Sequence, residues 1–498
     1  MSSISEEIRE HWNSRFAFIM AAIGSAVGLG NIWRFPFRCY ENGGGAFLIP
    51  YFIALFTLGI PLLILEFTLG HWSRGSPPVA FSKIGKKWEW FGWWPIIVEF
   101  ITVIYYSVIL AWCFSYMMYS LDLRWGANAD FFFINNFLGL TSKPEILGGI
   151  RIPVVIGLLA IWLIIYLVLR KGVKSIGKVC VILIPLATIL LVIMAIRGLT
   201  LPGAMEGVSY YLTPDFSKLG DAKIWLAAYS QVLWSLSLAG GIMITYASFL
   251  PKKADITNNA IITSLADAGV SFFAGFIVFS VLGYLAMSTG ASIDGVVAVG
   301  PELAFIAYPT AISLLPFAAT FFGLIFFVAL LTFGLTSAFS MAEPLPVGLN
   351  DKWRISTGKS TAIICLIGFL AGLIYTTGSG IHWLSISDEF LATFGFSLVA
   401  LFECLIAGYA FHLHKLRKYA NDVSDIKIGR WWDVLIKFVN PIILAILFIM
   451  VIKDYILEGC GGYSTYAIAV GGVSLAIVAF VLSFVFMKVK GKEVEVKE

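Results

Sequence analysis

Charged residues are scarce in this sequence, and their scarcity excludes an ordinary soluble protein. Aspartate, glutamate, lysine and arginine make up 13% of the 498 residues, whereas hydrophobic residues make up 59%. Soluble domains are about one quarter charged, so this composition indicates a chain embedded in a membrane. The net charge of +4 is small, and we expect no nucleic-acid partner from it.

Cysteine and catalytic motifs are also sparse. The six cysteines occur singly and most lie in apolar runs, which argues against a cysteine-based metal site. Cys39 and Cys460 could both lie on the outer side, where a disulfide between them is an open alternative. No phosphate-binding loop, metalloenzyme constellation or separate soluble domain accompanies them, so we expect a protein that is not an enzyme.

Long apolar runs, in contrast, recur along the whole chain. A helix needs about 20 apolar residues to cross the hydrocarbon core of a membrane. We therefore predict an all-α multi-pass membrane protein with about 12 transmembrane helices. The predicted spans cover residues 14–37, 45–70, 91–121, 151–169, 178–197, 224–250, 258–288, 317–345, 360–377, 388–413, 432–456 and 465–487.

Lysine and arginine concentrate in alternate loops between these spans. They cluster at 83–87 and 170–178, but none occurs in the loops 290–315 and 378–387. Because cytoplasmic loops are enriched in these residues, we expect the basic loops and both termini to be cytoplasmic. No stretch before the first span resembles a cleavable signal, and we expect a multi-pass protein of the cell membrane.

The first predicted span is rich in glycine around the segment SAVGLGNIWRFP, residues 25–36. Gly24, Gly28 and Gly30 favour a break in the helix, and the backbone groups that a break frees must be satisfied inside a protein cavity. Close packing of small residues between helices explains the glycines equally well. The sixth span carries a second interruption, WSLSLAGGIMI at 234–244, and the pair of interruptions favours two broken helices.

The two interrupted spans lie five spans apart. Because five is an odd number, a duplicated five-span unit would enter the membrane in the opposite direction the second time, as in the inverted repeats of many secondary transporters. We expect a cytoplasmic segment 1–13 with inner-gate residues, a first five-helix repeat at 14–197 and an extracellular loop at 198–223. A second repeat at 224–413 would precede two additional helices and a tail at 414–498.

Several segments resemble the neurotransmitter:sodium symporter family. GLGNIWRFPF and ENGGGAFLIPY match its first span and outer junction, SQVLWSLSLAGG and ITYASF its sixth, SFFAGFIVFS its seventh and FGLTSAFSMAEP its eighth. The resemblance covers essentially residues 9–460. It implies a LeuT-like fold and a sodium-coupled importer of a small organic solute that works by alternating access.

We expect the substrate to bind between the two breaks. The freed amides of Leu29 and Gly30, at the start of a half-helix, suit a carboxylate, and the hydroxyl of Tyr106 is an added donor. Carbonyl groups of Ala26 and of residues 234–237 would accept from an amino group. With the resemblance, the substrate-binding set also includes Gly28, Thr102, Trp234, Ser235, Ser237, Gly240, Ser337, Ala338 and Met341.

The resemblance implies two sodium sites, and sodium as a hard cation prefers oxygen ligands. The first would use the Ala26 carbonyl, Asn31, Ser235, Asp267 and the substrate carboxylate. The second would use carbonyls of Gly24, Val27 and Phe333 with the hydroxyls of Thr336 and Ser337. Such hydroxyls more often only join helices, but their joint position beside both breaks favours the ligand role.

Asp267 is costly within an apolar span and should therefore have a task. Animal members of the family usually have an asparagine here and bind chloride beside a serine that matches Ser271. We predict that Asp267 replaces chloride, with Tyr51, Gln231 and Ser271 around it, so that transport needs no chloride. We also hypothesise that Asp267 takes a proton on the return step. A purely structural aspartate, satisfied by Tyr51, Gln231 and Ser235, is the alternative.

Charged pairs at the two ends of the pathway resemble the family's gates. Arg34 with Asp388 would close the outer side, and Arg9 with Asp351 the inner side, with Trp12 packed nearby. Solvated charges at helix ends are the plainer alternative. We expect a monomer or a weak dimer.

The substrate type is partly indicated. Gly28 stands where monoamine carriers have an aspartate, which favours an amino acid, and Gly240 leaves room for a bulky or aromatic neutral side chain, although Trp234 fills space. Glu99, at helical spacing from the pocket residues, could bind a basic group, pair with a neighbour or be protonated. A membrane sensor of the same fold that binds without transport is the alternative function.

Overall fold

The computed structural model describes residues 10–297, 300–459 and 461–492. Within these ranges every regular element is helical, and only two isolated bridges, Gly44 with Pro214 and Ile150 with Thr377, join extended segments. Ten helices are long and apolar enough to cross a membrane, and one bent pair passes the same test together. The predicted all-α multi-pass class is confirmed.

The helices that cross the membrane or build the site share one numbering. They are α1 (Arg15–Ala26), α2 (Leu29–Glu41), α3 (Gly45–Ser73), α4 (Lys86–Tyr119), α5 (Ile152–Leu169), α6 (Val173–Leu199), α7 (Ala222–Ser235), α8 (Ile242–Ala247), α9 (Ile256–Thr289), α10 (Ala319–Trp353), α11 (Thr357–Thr376), α12 (Gly380–Ala410), α13 (Arg430–Lys453) and α14 (Thr465–Lys488). Shorter helices, including Ala204–Leu212, lie in the connections.

The predicted sixth span, 224–250, is not one helix. Of its two parts, α7 has 14 residues and α8 has 6, so neither can cross about 30 Å of hydrocarbon alone. Within the described residues the spans that pass the length test therefore number ten, or eleven with the bent pair, and the predicted count of about 12 is not confirmed. The division into repeats at 14–197 and 224–413 stays a prediction.

Burial separates an inner from an outer set of helices. In the most apolar 18-residue stretch of α4, 89% of the residues are buried, against 22% in α14. A helix that leaves its apolar side chains uncovered faces lipid, whereas α4 is enclosed by protein and packs against α5, α10 and α14. Helix α1, the first half of the bent pair, packs against α6, α9 and α10. This inner set carries the candidate site.

Side-chain caps determine where two of these inner helices begin. Asp221 accepts a hydrogen bond of 2.9 Å from the Lys223 amide at the start of α7. Asp255 accepts one of 3.1 Å from the Asn258 amide at the start of α9. Each carboxylate satisfies a first-turn amide that has no acceptor within its helix. The caps thus position the helices that carry Ser235 and Asp267.

Candidate functional site

The first break separates α1 from α2, whose axes differ by 50°. The helix ends because Val27 is extended, with φ −79° and ψ 105°, and Gly28 follows at φ −132° and ψ −162°. The side-chain oxygen of Asn31 accepts the Gly28 amide at 2.8 Å. The next amides, those of Leu29 and Gly30, start α2 and have no acceptor within the helix. They form the positive end of a half-helix, as the glycine pattern predicted.

The second break is longer and more strained. Between α7 and α8, Ser237, Ala239 and Gly241 adopt positive φ angles of 52°, 64° and 72°. This region is unfavourable for residues with a Cβ, so neighbouring groups must hold the segment. The Ala239 amide donates to Oε1 of Glu66 at 2.7 Å. The hydroxyl of Ser237 donates to the Ser25 carbonyl at 2.9 Å and so joins the two breaks.

Four buried side chains meet beside the breaks and form what we name the Asp267 cluster: Asn31, Ser235, Asp267 and Ser271. The amide nitrogen of Asn31 lies 2.7 Å from Oδ1 of Asp267, 2.7 Å from the Ser271 hydroxyl and 3.2 Å from the Ser235 hydroxyl. Ser235 donates to Oδ2 of Asp267 at 2.7 Å. The carboxylate and the two hydroxyls offer oxygen ligands of the kind that a hard cation prefers, whereas the Asn31 oxygen is turned to the Gly28 amide.

A second polar group, the Ser337 cluster, comprises the carbonyls of Gly24, Val27 and Phe333 with the hydroxyls of Thr336 and Ser337. The Ser337 hydroxyl lies 3.4, 3.5 and 3.3 Å from these carbonyls in that order. Thr336 donates to the Phe333 carbonyl at 2.8 Å. One hydroxyl hydrogen cannot satisfy all of these oxygens, and their convergence again suits a cation.

A cavity of about 40 Å³ lies between the breaks. Its lining includes nine predicted substrate residues: Ala26, Gly28, Leu29, Thr102, Tyr106, Trp234, Ser237, Ser337 and Met341. It also includes Ser25, Glu99, Leu238 and Phe396. Of these, the sequence singled out Glu99, whereas an apolar residue such as Phe396 on α12 carries no signal of its own. The predicted residues Gly30, Ser235, Gly240 and Ala338 lie outside the lining.

Two of the predicted pocket glycines are covered by side chains. A Cβ on Gly30 would collide with the Trp234 ring, so the ring lies directly on the first turn of α2. A Cβ on Gly240 would lie 2.7 Å from Oε2 of Glu99, so the carboxylate occupies the space expected to be open there. The hydroxyl of Tyr106, by contrast, is buried without a hydrogen-bond partner in the described part of the chain.

The predicted surroundings of Asp267 are only partly present. Ser235 and Asn31 donate to its carboxylate, and Ser271 bonds the same Asn31 amide. Tyr51 lies beside Ser271 and interacts electrostatically with Asp267, although within the described residues neither its hydroxyl nor the Gln231 amide makes a hydrogen bond of standard geometry.

The predicted outer gate is not an ion pair in this structure. The Arg34 guanidinium lies over the Trp234 ring, 4.8 Å from its centroid, and Asp388 accepts a hydrogen bond of 2.9 Å from Tyr105. No ion pair joins Arg34 to Asp388 within the described ranges. Arg34 instead lines a vestibule of about 740 Å³, which Lys223 also lines.

The N-terminal segment packs against the second half-helix of the broken sixth span, α8. The indole of Trp12 donates to the Tyr246 carbonyl at 2.9 Å, and Trp12 is 6% exposed. Asp351 accepts from the Ser76 amide at 2.7 Å. The predicted partner of Asp351, Arg9, lies outside the described residues, as does Cys460 of the disulfide alternative. Arg34 thus lines the vestibule, whereas Trp12 is buried against α8.

Comparisons with known proteins identify the family. The sequence model of the Sodium:neurotransmitter symporter family matches residues 9–131 and 126–493. An uncharacterised sodium-dependent transporter of Methanocaldococcus jannaschii is 42% identical over 483 residues, which cover 97% of this chain and 98% of the relative. The sodium- and chloride-dependent taurine transporter of Rattus norvegicus is 33% identical, with coverage of 90% and 79%. GABA transporter 2 of Macaca fascicularis is also 33% identical, with coverage of 90% and 80%.

The family match extends over both broken helices and both polar clusters. Together with the all-helical architecture and the bent first span, it confirms the resemblance and the LeuT-like fold. The chain belongs to the sodium:neurotransmitter symporter family and is a sodium-dependent membrane transporter.

Proposed function

We propose that this protein imports an amino acid together with sodium by alternating access. The cavity between the breaks carries the proposal, because it borders both the start of α2 and Ser337 of the second cluster. A substrate in the cavity would thus contact groups that also hold sodium. Sharing of this kind couples the two ligands, since each raises the affinity of the other.

The chemistry of one cavity end favours a carboxylate. The Leu29 amide begins a half-helix, and the partnerless hydroxyl of Tyr106 lies near it. Gly28 adds no negative charge: a Cβ there would lie 3.6 Å from the Tyr106 oxygen, so an acidic side chain would compete with the substrate's acid group. Taurine and γ-aminobutyrate, named for relatives, each combine an amino group with an acid group, which is the same pattern.

We propose two sodium sites. The first would be held by the Ala26 carbonyl, Asn31, Ser235, Asp267 and the substrate carboxylate. The second would be held by the Ser337 cluster. The carboxylate and hydroxyl oxygens of the first cluster and the carbonyl and hydroxyl oxygens of the second support this assignment, since sodium prefers oxygen ligands. Asn31 would turn its amide to present its oxygen, because its nitrogen faces Asp267 in this structure.

We also propose that transport does not require chloride. Asp267 is fully buried, and within the described residues no lysine, arginine or histidine pairs with it. A buried carboxylate without a cationic partner is costly, and a sodium ion beside it would relieve that cost without chloride. The rat and macaque relatives are named as chloride-dependent, so this proposal separates the chain from them.

The preference for a bulky neutral side chain loses its physical basis. That expectation rested on free space beside Gly240, and Oε2 of Glu99 lies 2.7 Å from where a Cβ would stand. We further propose that both termini are cytoplasmic and that the protein lies in the cell membrane as a monomer or weak dimer. The proposed inner gate is the pair Arg9 and Asp351, with Trp12 packed nearby, and in the proposed outer gate Arg34 reaches Asp388 during closure.

The test is uptake of a radiolabelled amino-acid panel into proteoliposomes with an inward sodium gradient, in chloride or in gluconate. We expect accumulation of at least one amino acid that depends on sodium and is equal in both anions. Loss of uptake in gluconate would refute chloride independence. Sodium-dependent binding without accumulation would favour a sensor, and no response to any amino acid would refute the substrate class. A pH-sensitive dye inside the vesicles would report whether protons move during transport, as the proposed role of Asp267 in the return step requires.

A further inference from the structure

Glu99 is a buried carboxylate in the wall of the substrate cavity. It is 3% exposed and lies on α4 one and two turns from Thr102 and Tyr106, which line the same cavity. In the described ranges no side chain or backbone amide donates a hydrogen bond to it. A carboxylate in this position needs a partner, because the bilayer interior does not solvate it.

Two further carboxyl groups surround the second break. Oε1 of Glu66 accepts the Ala239 amide, but its Oε2 has no partner in the described part of the chain, and neither has Oε1 of Glu403. Glu66 interacts electrostatically with both Glu99 and Glu403. Among the described residues, no lysine, arginine or histidine forms an ion pair with any of the three. The protein therefore supplies no positive charge where its carboxyl groups converge.

The end of the cavity away from Glu99 suits a group of the opposite charge, an acid. Tyr106 and the Leu29 amide suit a substrate acid group, and Tyr106 lies seven residues along α4 from Glu99. Seven residues of helix rise about 10.5 Å. Helical side chains lean toward the N-terminus, so the tyrosine oxygen approaches Glu99 and shortens this span. A donor end and a carboxylate end of this kind match, in charge and order, an extended amino acid with a terminal cationic group.

We propose that Glu99 binds a cationic group at the far end of the substrate, so that the transported amino acids carry a second ammonium or a guanidinium, as lysine, ornithine and arginine do. This inference rests on the proposed amino-acid import. The cation would provide the positive charge that the convergent carboxyl groups lack, in a charge-assisted hydrogen bond of the strong kind. Glu99 is thus a specificity-determining residue, distinct from the sodium clusters.

The experiment compares lysine with norleucine and ornithine with norvaline, pairs that differ mainly in the terminal ammonium. In proteoliposomes with a sodium gradient, we expect the wild-type protein to take up the cationic member roughly tenfold to hundredfold more efficiently. The Glu99→Gln variant keeps the size of the side chain and removes its charge. We expect this variant to lose the cationic preference and to keep or increase sodium-driven norleucine uptake.

Two further variants keep the test decisive. Asp122→Asn removes an exposed carboxylate that pairs with Arg124 far from the cavity, and it should keep the wild-type preference. If Glu99→Gln does not fold, Glu99→Asp should fold and shift the preference from lysine toward arginine, whose side chain is longer.

Each outcome has a distinct meaning. Equal or better uptake of norleucine by the wild-type protein overturns the role of Glu99 and leaves amino-acid import standing. A lysine preference that survives in Glu99→Gln overturns Glu99 as the recognition group and points to Glu66 or Glu403. If no amino acid is bound or accumulated, the proposed function and this inference both fail.

Discussion

The Asp267 cluster and the Ser337 cluster lie beside the same broken helix, but they are built from different atoms. In the first, four side chains from α2, α7 and α9 meet around one carboxylate at 2.7 to 3.2 Å. In the second, a hydroxyl faces backbone carbonyls at 3.3 to 3.5 Å, and no formal charge is present. One cluster therefore depends on side-chain identity and charge, and the other on the path of the backbone.

This difference predicts how each cluster responds to change. A substitution in the Asp267 cluster alters the charge that faces a cation, and a different anion could compensate for it. A substitution near Ser337 alters one ligand among several, and no anion could replace it. The chloride response should thus distinguish the two clusters more clearly than sodium affinity alone.

The largest effect is expected for Asp267→Asn. Loss of the buried negative charge beside a bound cation should weaken sodium binding by about 3 kcal/mol. In gluconate medium, sodium-driven uptake should therefore fall roughly hundredfold. Chloride should restore part of the uptake, because an anion could then balance the sodium charge beside the Ser271 and Tyr51 hydroxyls and the Gln231 amide. The measurement is the sodium dependence of uptake in the two anions. Unchanged uptake in gluconate would contradict the assigned role of the charge.

A smaller effect is expected for Ser337→Ala. The substitution removes one hydroxyl but leaves the carbonyls of Gly24, Val27 and Phe333, so sodium affinity should fall by about 1 kcal/mol, roughly fivefold, with no response to chloride. Sodium-dependent binding of substrate measures it. The matched control is Thr332→Val on the same helix, whose hydroxyl bonds its own helix at the Val328 carbonyl, 2.6 Å away.

If the control weakens sodium binding as much as Ser337→Ala does, the effect belongs to α10 as a whole and the Ser337 cluster is not a sodium site. If chloride rescues Ser337→Ala, the two clusters are not separate in the way that their atoms indicate.

Gly28→Ala tests the Ser337 cluster through the backbone. The added Cβ would lie 2.8 Å from the Ser337 oxygen, so the hydroxyl should rotate away from the carbonyls. We expect sodium affinity to fall about threefold, less than for the loss of the hydroxyl, since the oxygen remains nearby. In the Ser337→Ala background the same glycine substitution should add almost nothing. Additive losses in the two variants would show that Gly28 acts elsewhere.

The sequence predicted the side-chain cluster better than the backbone cluster. Asp267 is conspicuous in an apolar span, and the glycines around residue 28 indicated the first break. The ligand sets of both clusters were assigned through family resemblance, but the convergence of backbone carbonyls at Ser337 also depends on where the chain bends, which residue types do not record. Nine of the predicted substrate residues line the cavity, because the two breaks determine where the cavity lies.

The structure differed from prediction where the outcome depends on side-chain conformation or helix continuity. Arg34 stacks on Trp234, lines the vestibule and does not pair with Asp388, an outcome that depends on the conformation of one long side chain. The space beside Gly240 contains Glu99, a contact between α4 and the second break that no local pattern encodes. The sixth span is too interrupted to pass as one helix, a direct result of the break that the sequence did predict.

The smallest effect is expected for Ser271→Ala, and it tests how the Asp267 cluster is organised. The Asn31 amide nitrogen has two hydrogens and three acceptors within reach, at 2.7, 2.7 and 3.2 Å. When the Ser271 oxygen is removed, both hydrogens keep acceptors in Asp267 and Ser235, so Asn31 need not move. In gluconate, sodium-driven uptake should therefore fall less than about threefold. A loss as large as that of Asp267→Asn would mean that Ser271 itself holds the cation, and that the carboxylate's charge does not define this cluster.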